Sequence, residues 1–163
     1  MHARIHVHWA AVDESERDAL AETLARVSRV LVAVAVRTVA ATEHELTVAQ
    51  HRVLVVLADE GTLSVSTIAQ RLGVDQSTAS RHCARLESLG LLARTRAEHD
   101  GRAVDVALTP AGEHQVRAVD AARTSEIRSI LARMPDEDAR ATVAALLRFD
   151  TAAHAHAANA AAG

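Results

Sequence analysis

The sequence has no lysine and no tyrosine, and it contains one tryptophan, one phenylalanine and one cysteine among 163 residues. Because surfaces that stack single-stranded bases need several aromatic rings, this composition argues against a single-strand or RNA-binding platform. All 18 basic residues are arginine, so any contact to a phosphate or a base edge must come from arginine or from a neutral donor. The single Cys83 excludes an internal disulfide and fits a reducing compartment.

Long apolar runs are also missing. The longest, from Val30 to Val36, is far too short to span a bilayer, and the N-terminus shows no signal-peptide pattern. We therefore expect a cytoplasmic protein with no membrane partner. There is no glycine-rich phosphate loop, no credible Ser/His/Asp order and no dense carboxylate-histidine site, so we expect neither an enzyme nor a cofactor. The length and the hydrophobic content of 49% fit one globular domain over residues 1–163.

The net charge of −3 is unevenly distributed along the chain. From Ser64 to Arg102 there are six arginines and four acidic residues, so this stretch is basic while the rest of the chain is acidic. A basic segment on an acidic body is typical of proteins that bind nucleic acid, because the segment attracts phosphates.

Hydrophobic periodicity predicts a largely helical chain. Apolar residues recur at alternating spacings of four and three from Leu20 to Val34, which predicts one long helix over residues 13–41. Caps such as Thr47 and Asp75, together with boundary glycines and prolines, predict further helices over residues 47–61, 64–72, 75–89 and 109–134, and from 136 onward. The alanine- and histidine-rich tail, residues 152–163, is expected to fray.

A hairpin is predicted between the fourth and fifth helices. Residues 91–95 and 104–108 are strand candidates, and the polar loop between them carries a turn glycine, Gly101. Two short helices joined at Gly73-Val74 and followed by a hairpin form a helix-turn-helix with a wing. The expected fold class is therefore mainly α (α+β), a winged helix-turn-helix with long N- and C-terminal helices.

The fourth helix has two distinct faces at 100° per residue. Ala79, Cys83 and Leu86 fall on one side, and the opposite side is small, rich in hydroxyls and bears arginine. That second side comprises Ser77, Arg81, Ala84 and Ser88, flanked by Gln76 and Ser80 on one edge and by Thr78 and Arg85 on the other. Such a face suits a major groove, although an ordinary solvated helix would show the same pattern.

Several motifs in this order also match a known family. They are Leu46-Thr47-Val48-Ala49-Gln50, Leu63-Ser64-Val65-Ser66-Thr67-Ile68-Ala69, Val74-Asp75-Gln76-Ser77-Thr78-Ala79-Ser80-Arg81, Leu86-Glu87-Ser88-Leu89-Gly90-Leu91-Leu92, Asp100-Gly101-Arg102-Ala103 and Leu108-Thr109-Pro110-Ala111-Gly112. On these motifs the sequence resembles the MarR family of bacterial regulators, over nearly the whole chain. The Asp-x-Arg wing followed by Leu-Thr-x-x-Gly is a fairly specific combination.

The resemblance implies a transcriptional regulator that binds double-stranded DNA as a triangular homodimer. Residues 13–43 and 110–160 would supply the dimerisation helices, and residues 46–109 the DNA-binding lobe. A ligand-responsive repressor on a pseudo-palindromic operator is expected, with a small-molecule effector of unknown identity bound between the dimer helices and the lobe.

The resemblance also implies which residues contact DNA. Recognition-helix contacts would come from Ser77, Thr78, Ser80 and Arg81, a minor-groove contact from Arg102 oriented by Asp100, and phosphate contacts from Ser64 and Ser66. The remaining candidate DNA-binding residues are Gln76, Arg85, Arg94 and Arg96. Two features depart from the family pattern, namely His82 at a position that is more often apolar and the additional segment 1–12.

Two alternatives within the same fold, and one outside DNA binding, stay open. Cys83 could sense oxidants, although its inward position favours a small buried side chain. Ten histidines could bind metal, and His44, His51 and His114 fall near the pocket of zinc-sensing relatives, but no tight ligand motif is present and no metal site is predicted. The third alternative is a winged helix that binds only other proteins.

Overall fold

A computed structural model of the chain describes residues 13–96 and 104–162. Its elements are, in chain order, α1 (Glu14–Ala40), α2 (Val48–Glu60), β1 (Leu63–Ser64), α3 (Val65–Leu72), α4 (Gln76–Ser88), β2 (Leu92–Arg96), β3 (Val104–Leu108), α5 (Pro110–Leu131) and α6 (Asp136–Ala162). The predicted fold class, a mainly α winged helix-turn-helix, is confirmed. None of the helices in the described ranges is long and apolar enough to cross a membrane.

Local sequence signals determine where the helices begin. Thr47 and Gln50 form the predicted capping box: the Thr47 N–H donates to Gln50 Oε1 at 2.9 Å and the Gln50 N–H donates to Thr47 Oγ1 at 3.2 Å. Thr109 caps α5 by accepting from the Gly112 N–H at 3.1 Å, with Pro110 in the first turn. These capping bonds satisfy backbone donors that the first helical turn leaves without partners.

The sheet has three antiparallel strands in the order β1-β3-β2. The predicted hairpin pairs Leu92 with Leu108 and Arg94 with Val106. The strand β1 was not predicted from the sequence, and it pairs Leu63 with Val106 on the other edge of β3. This pairing joins the wing to the start of α3, so the wing is attached to the helix-turn-helix on two sides.

One hydrophobic core holds the helix-turn-helix, the sheet and α5 together. Its largest fully buried side chains include Leu54 of α2, Ile68 of α3, Leu86 of α4 and Leu91, all 0% exposed. Val106 of β3 and Val119 of α5 close the core from the sheet and from the fifth helix. Helices α1 to α5 and strand β3 therefore each contribute apolar side chains to this core, and the polar faces of α3 and α4 are left outside.

The last part of α1 packs against α5 and α2. Val34, Thr38 and Val39 are buried there, and the Thr38 hydroxyl donates to the Val34 carbonyl at 2.9 Å. An ion pair between Arg37 and Glu126 links α1 to α5. The long N-terminal helix is thus fixed to α5 and α2 through its C-terminal third, while its earlier turns are exposed.

Both long terminal helices carry apolar side chains that the single chain leaves exposed. Those on α1 are Leu20, Leu24, Val27, Val30, Leu31, Val32 and Val36, and those on α6 are Val143, Leu146, Leu147 and Phe149. The expected fraying of residues 152–163 was wrong for the described residues, since α6 is helical to Ala162. Alanine has the highest helix propensity, and no glycine or proline interrupts α6.

Candidate DNA-reading surface

The turn between α3 and α4 is built around Gly73. Gly73 has a φ of 66°, a left-handed conformation that glycine adopts without steric cost, and its N–H donates to the Gln70 carbonyl at 3.2 Å. The Val74 N–H then donates to the Ala69 carbonyl at 3.1 Å. This closed turn redirects the chain so that α4 crosses α3 and presents its outer face.

The two predicted faces of α4 are present in the structure. Ala79, Cys83 and Leu86 are each 0% exposed, so they fix the rotation of α4 about its axis. Ser77, Arg81, Ala84 and Ser88 are exposed on the opposite side, with Gln76 and Arg85 exposed and Thr78, Ser80 and His82 half-buried along the edges. The exposed strip is slim because its members other than Arg81 have short side chains.

Asp75 organises the N-terminal end of α4. Its Oδ1 accepts hydrogen bonds from the Thr78 N–H at 2.8 Å and from the Ser77 hydroxyl at 2.5 Å. Its Oδ2 accepts from the Thr78 hydroxyl at 2.7 Å. The Thr78 hydroxyl oxygen in turn accepts from Arg81 Nη2 at 2.9 Å. Three of the candidate DNA contacts are therefore joined to one carboxylate.

These hydrogen bonds keep Asp75 ionised. The Ser77 and Thr78 hydroxyls and the Thr78 N–H all donate to its carboxylate, and they hold its pKa well below the ordinary value. At neutral pH, Asp75 therefore acts only as a hydrogen-bond acceptor.

A second cluster of hydroxyls lies at the start of α3. The Ser64 hydroxyl oxygen accepts from the Thr67 N–H at 3.1 Å and lies 2.8 Å from Ser66 Oγ. The predicted phosphate contacts Ser64 and Ser66 are thus brought together, with Ser66 exposed and Ser64 half-buried. Ser64 also pairs with Asp105 across the sheet, which connects this cluster to β3.

For the arginines of the wing, the structure gives a side-chain contact of Arg94 and the strand register of Arg96. Arg94 Nε forms an ion pair with Glu87 Oε2 at 2.9 Å, so β2 is tied to the end of α4. Arg96 lies at the end of β2, paired in register with Val104. Asp100 and Arg102, predicted for the wing tip, lie outside the described residues.

Sequence reasoning missed two groups that shape this surface. The sequence predicts Asp75 only as a helix cap, whereas its carboxylate also accepts hydrogen bonds from the Ser77 and Thr78 hydroxyls. The Asp-x-Ser-Thr spacing carried this signal, because aspartate side chains commonly bond to donors two and three residues ahead. Glu87 was not considered, and its pairing with Arg94 depends on how β2 returns along α4.

Two candidate sensing residues, Cys83 and His51, are buried, whereas the candidate DNA-reading strip of α4 is exposed. Cys83 is 0% exposed, and burial raises the pKa of its thiol, which opposes the reactive thiolate form. His51 is 2% exposed on α2. Within residues 13–96 and 104–162, no three histidine, cysteine or acidic side chains lie close enough to hold a metal ion.

The order of helix, turn, helix and hairpin, with an exposed polar recognition helix, defines a winged helix-turn-helix protein. A family model described as the MarR family matches residues 44–103. The chain is 36% identical over 93 residues to the HTH-type transcriptional repressor MdtR of Bacillus subtilis, a match covering 57% of this chain and 60% of MdtR. The chain belongs to the MarR family, a family of transcriptional regulators and not of enzymes.

Solved structures share this fold. The crystal structure of RV1404 from Mycobacterium tuberculosis is 33% identical, with a TM-score of 0.77 over 88% of this chain and 97% of that one. BpsR of Bordetella bronchiseptica is 28% identical, with a TM-score of 0.58 over 81% of this chain and 98% of that one. The chain spans 60% of the length of MdtR and less of the other curated relatives that it matches.

Proposed function

We propose that this protein is a transcriptional repressor that binds a specific duplex DNA sequence through α4. The proposal rests mainly on the shape and composition of the outer strip of α4. It is narrow enough to enter a major groove, it combines hydroxyls with Arg81, and buried Ala79, Cys83 and Leu86 hold it at a fixed angle. The named function of MdtR, a transcriptional repressor, supports the direction of regulation.

The proposal includes a homodimer on a pseudo-palindromic operator. Leu20, Val27 and Leu147 are 56%, 51% and 65% exposed in the single chain. Apolar surface of this extent on two long helices favours burial against a second copy. Two copies related by a two-fold axis would present two α4 helices to successive major grooves on one side of the duplex.

Response to an effector is also part of the proposal. A cleft of about 420 Å³ lies between the end of α2, β3 and the start of α5, and its lining includes Leu57, Leu108, Val116 and Arg117. It joins a helix proposed for dimerisation to the DNA-binding lobe, so a ligand there could change the spacing of the two α4 helices. DNA binding by BpsR is regulated by 6-hydroxynicotinic acid, which supports an organic effector here. The expected cytoplasmic location stays a prediction.

The test is selection of preferred duplexes from a random pool, followed by affinity measurements at several salt concentrations. We expect one enriched motif with two-fold symmetry and an affinity that falls steeply with salt, because bound phosphates release their counterions. Affinity for the selected duplex should exceed that for random duplex by about a thousandfold or more. Enrichment of no motif and the absence of salt-dependent binding would instead favour a protein-interaction module.

A further inference from the structure

The contacts of Asp75 exceed what a helix cap requires. Capping is accomplished by Oδ1, which accepts from the Thr78 N–H at 2.8 Å. The second oxygen, Oδ2, makes no capping bond and accepts from the Thr78 hydroxyl at 2.7 Å. Serine and asparagine cap helices about as well as aspartate, so capping alone calls for no negative charge on a DNA-reading surface.

As a result, the Thr78 hydroxyl donates its hydrogen bond in one defined direction. A hydroxyl carries one proton and two lone pairs, and here the proton points to Asp75. A lone pair is then left for Arg81, whose Nη2 donates to Thr78 Oγ1 at 2.9 Å. Because the carboxylate polarises the hydroxyl, the bond from Arg81 is strengthened.

We propose that Asp75 is a positioning residue for the DNA-reading Arg81 and acts on it through the Thr78 hydroxyl. This inference rests on the proposed function, in which α4 reads base edges. An arginine reads guanine with two parallel N–H donors, so the plane of its guanidinium must match the base edge. The hydrogen bonds from Arg81 to Thr78 and from Thr78 to Asp75 form a relay that holds this plane before binding. The Arg81 side chain therefore loses less conformational entropy when it binds DNA.

The relay makes a prediction that capping does not. In Asp75→Asn, the side-chain carbonyl oxygen can still accept from the Thr78 N–H, so the cap is kept. The amide nitrogen then takes the place of Oδ2 and donates to the Thr78 hydroxyl, which removes both the charge and the acceptor for its proton. Arg81 is held less firmly, while the loss of a negative charge favours contact with any DNA.

The experiment compares variants on the duplex selected by the wild type and on a random duplex. Asp75→Asn should keep the wild-type melting temperature, bind random duplex at least as tightly, and lose at least about threefold of the ratio between selected and random affinity. Thr78→Val should lower that ratio similarly. Thr78→Ser, which keeps the hydroxyl, should retain the wild-type ratio. In an Arg81→Ala background, Asp75→Asn should have no further effect on the ratio.

Each other outcome overturns the relay. If Asp75→Asn and Thr78→Val keep the wild-type ratio while Arg81→Ala loses it, Arg81 reads DNA without Asp75. If Asp75→Asn lowers the melting temperature and weakens both duplexes equally, Asp75 only caps α4. If Arg81→Ala keeps the wild-type motif, there is no reading arginine to position. If the wild type selects no motif, the proposed function fails as well, which separates that result from the others.

Discussion

Gly112 of α5 lies directly against the backbone of Leu91. A Cβ atom at Gly112 would come within 2.2 Å of the Leu91 carbonyl oxygen and 3.0 Å of Leu108 Cδ2. The first turn of α5 therefore packs against the residue just before β2, with no room for a side chain at Gly112. The Thr109 hydroxyl, which donates to the Gly90 carbonyl at 2.7 Å, holds the same junction together.

Gly112→Ala should therefore destabilise the fold. Alanine ordinarily favours a helix over glycine, but here the added methyl group meets backbone that cannot move aside cheaply. We expect a loss of ~1–3 kcal/mol in the free energy of unfolding, measured by denaturant titration. Ala111→Ser, at the exposed neighbouring position, should change it by less than ~0.5 kcal/mol. A more stable Gly112→Ala protein would contradict the packing described for this junction.

His51 should make stability depend on pH. Burial lowers its pKa, Arg123 lowers it further and Asp120 acts in the opposite direction. Because the unfolded chain takes up the proton more readily than the folded one, the full stability is present above the ordinary pKa of 6.5 and is lost as pH falls below it. The melting temperature should fall between about pH 7.5 and about pH 5.5, and less so in His51→Gln. Equal decreases in both proteins would contradict this.

Dimerisation can be tested on α6 without disturbing the core. Leu147 is 65% exposed in the single chain, so Leu147→Asp should leave the fold intact. If a second copy covers it, the buried charge should weaken self-association by at least about tenfold, measured by sedimentation equilibrium. Ala141→Asp, at an exposed position about 120° around the helix from Leu147, is the matched control. A Leu147→Asp protein that dimerises as the wild type does would place the interface elsewhere.

The wing prediction concerns Arg102. If Arg102 enters a minor groove, Arg102→Ala should weaken binding and reduce the slope of log affinity against log salt by roughly one per wing. Arg140→Ala on α6 removes a charge outside the proposed DNA-binding lobe and should leave the slope unchanged. An unchanged slope for Arg102→Ala would remove the basis for the wing assignment.

The parts of the fold that were predicted from sequence rest on local bonds. The cap at Thr47 and the helix end at Gly73 involve residues within a few positions of one another, so their patterns can be read directly. The strand β1 could not be predicted, because a two-residue strand exists only through pairing of Leu63 with Val106, far along the chain. Tertiary pairing determines such elements.

The candidate DNA-reading surface likewise combines features that local sequence predicts with features that depend on tertiary packing. The faces of α4 follow from helical periodicity, and burial of Ala79 and Cys83 agrees with it. The ion pair of Arg94 with Glu87 depends on how β2 packs beside α4, which no periodicity encodes. The polarity of the Thr78 hydroxyl needs atomic distances, since sequence spacing gives the partners but not which atom donates to which.

We propose that two copies of α4 read two adjacent major grooves. Hydroxyl-radical footprinting and guanine-methylation protection on the selected duplex test it most directly. We predict two protected half-sites, about 10–10.5 base pairs apart from centre to centre and related by two-fold symmetry, with guanine protection in each that is lost in Arg81→Ala. A single protected half-site, or uniform protection that Arg81→Ala leaves unchanged, would contradict the claim.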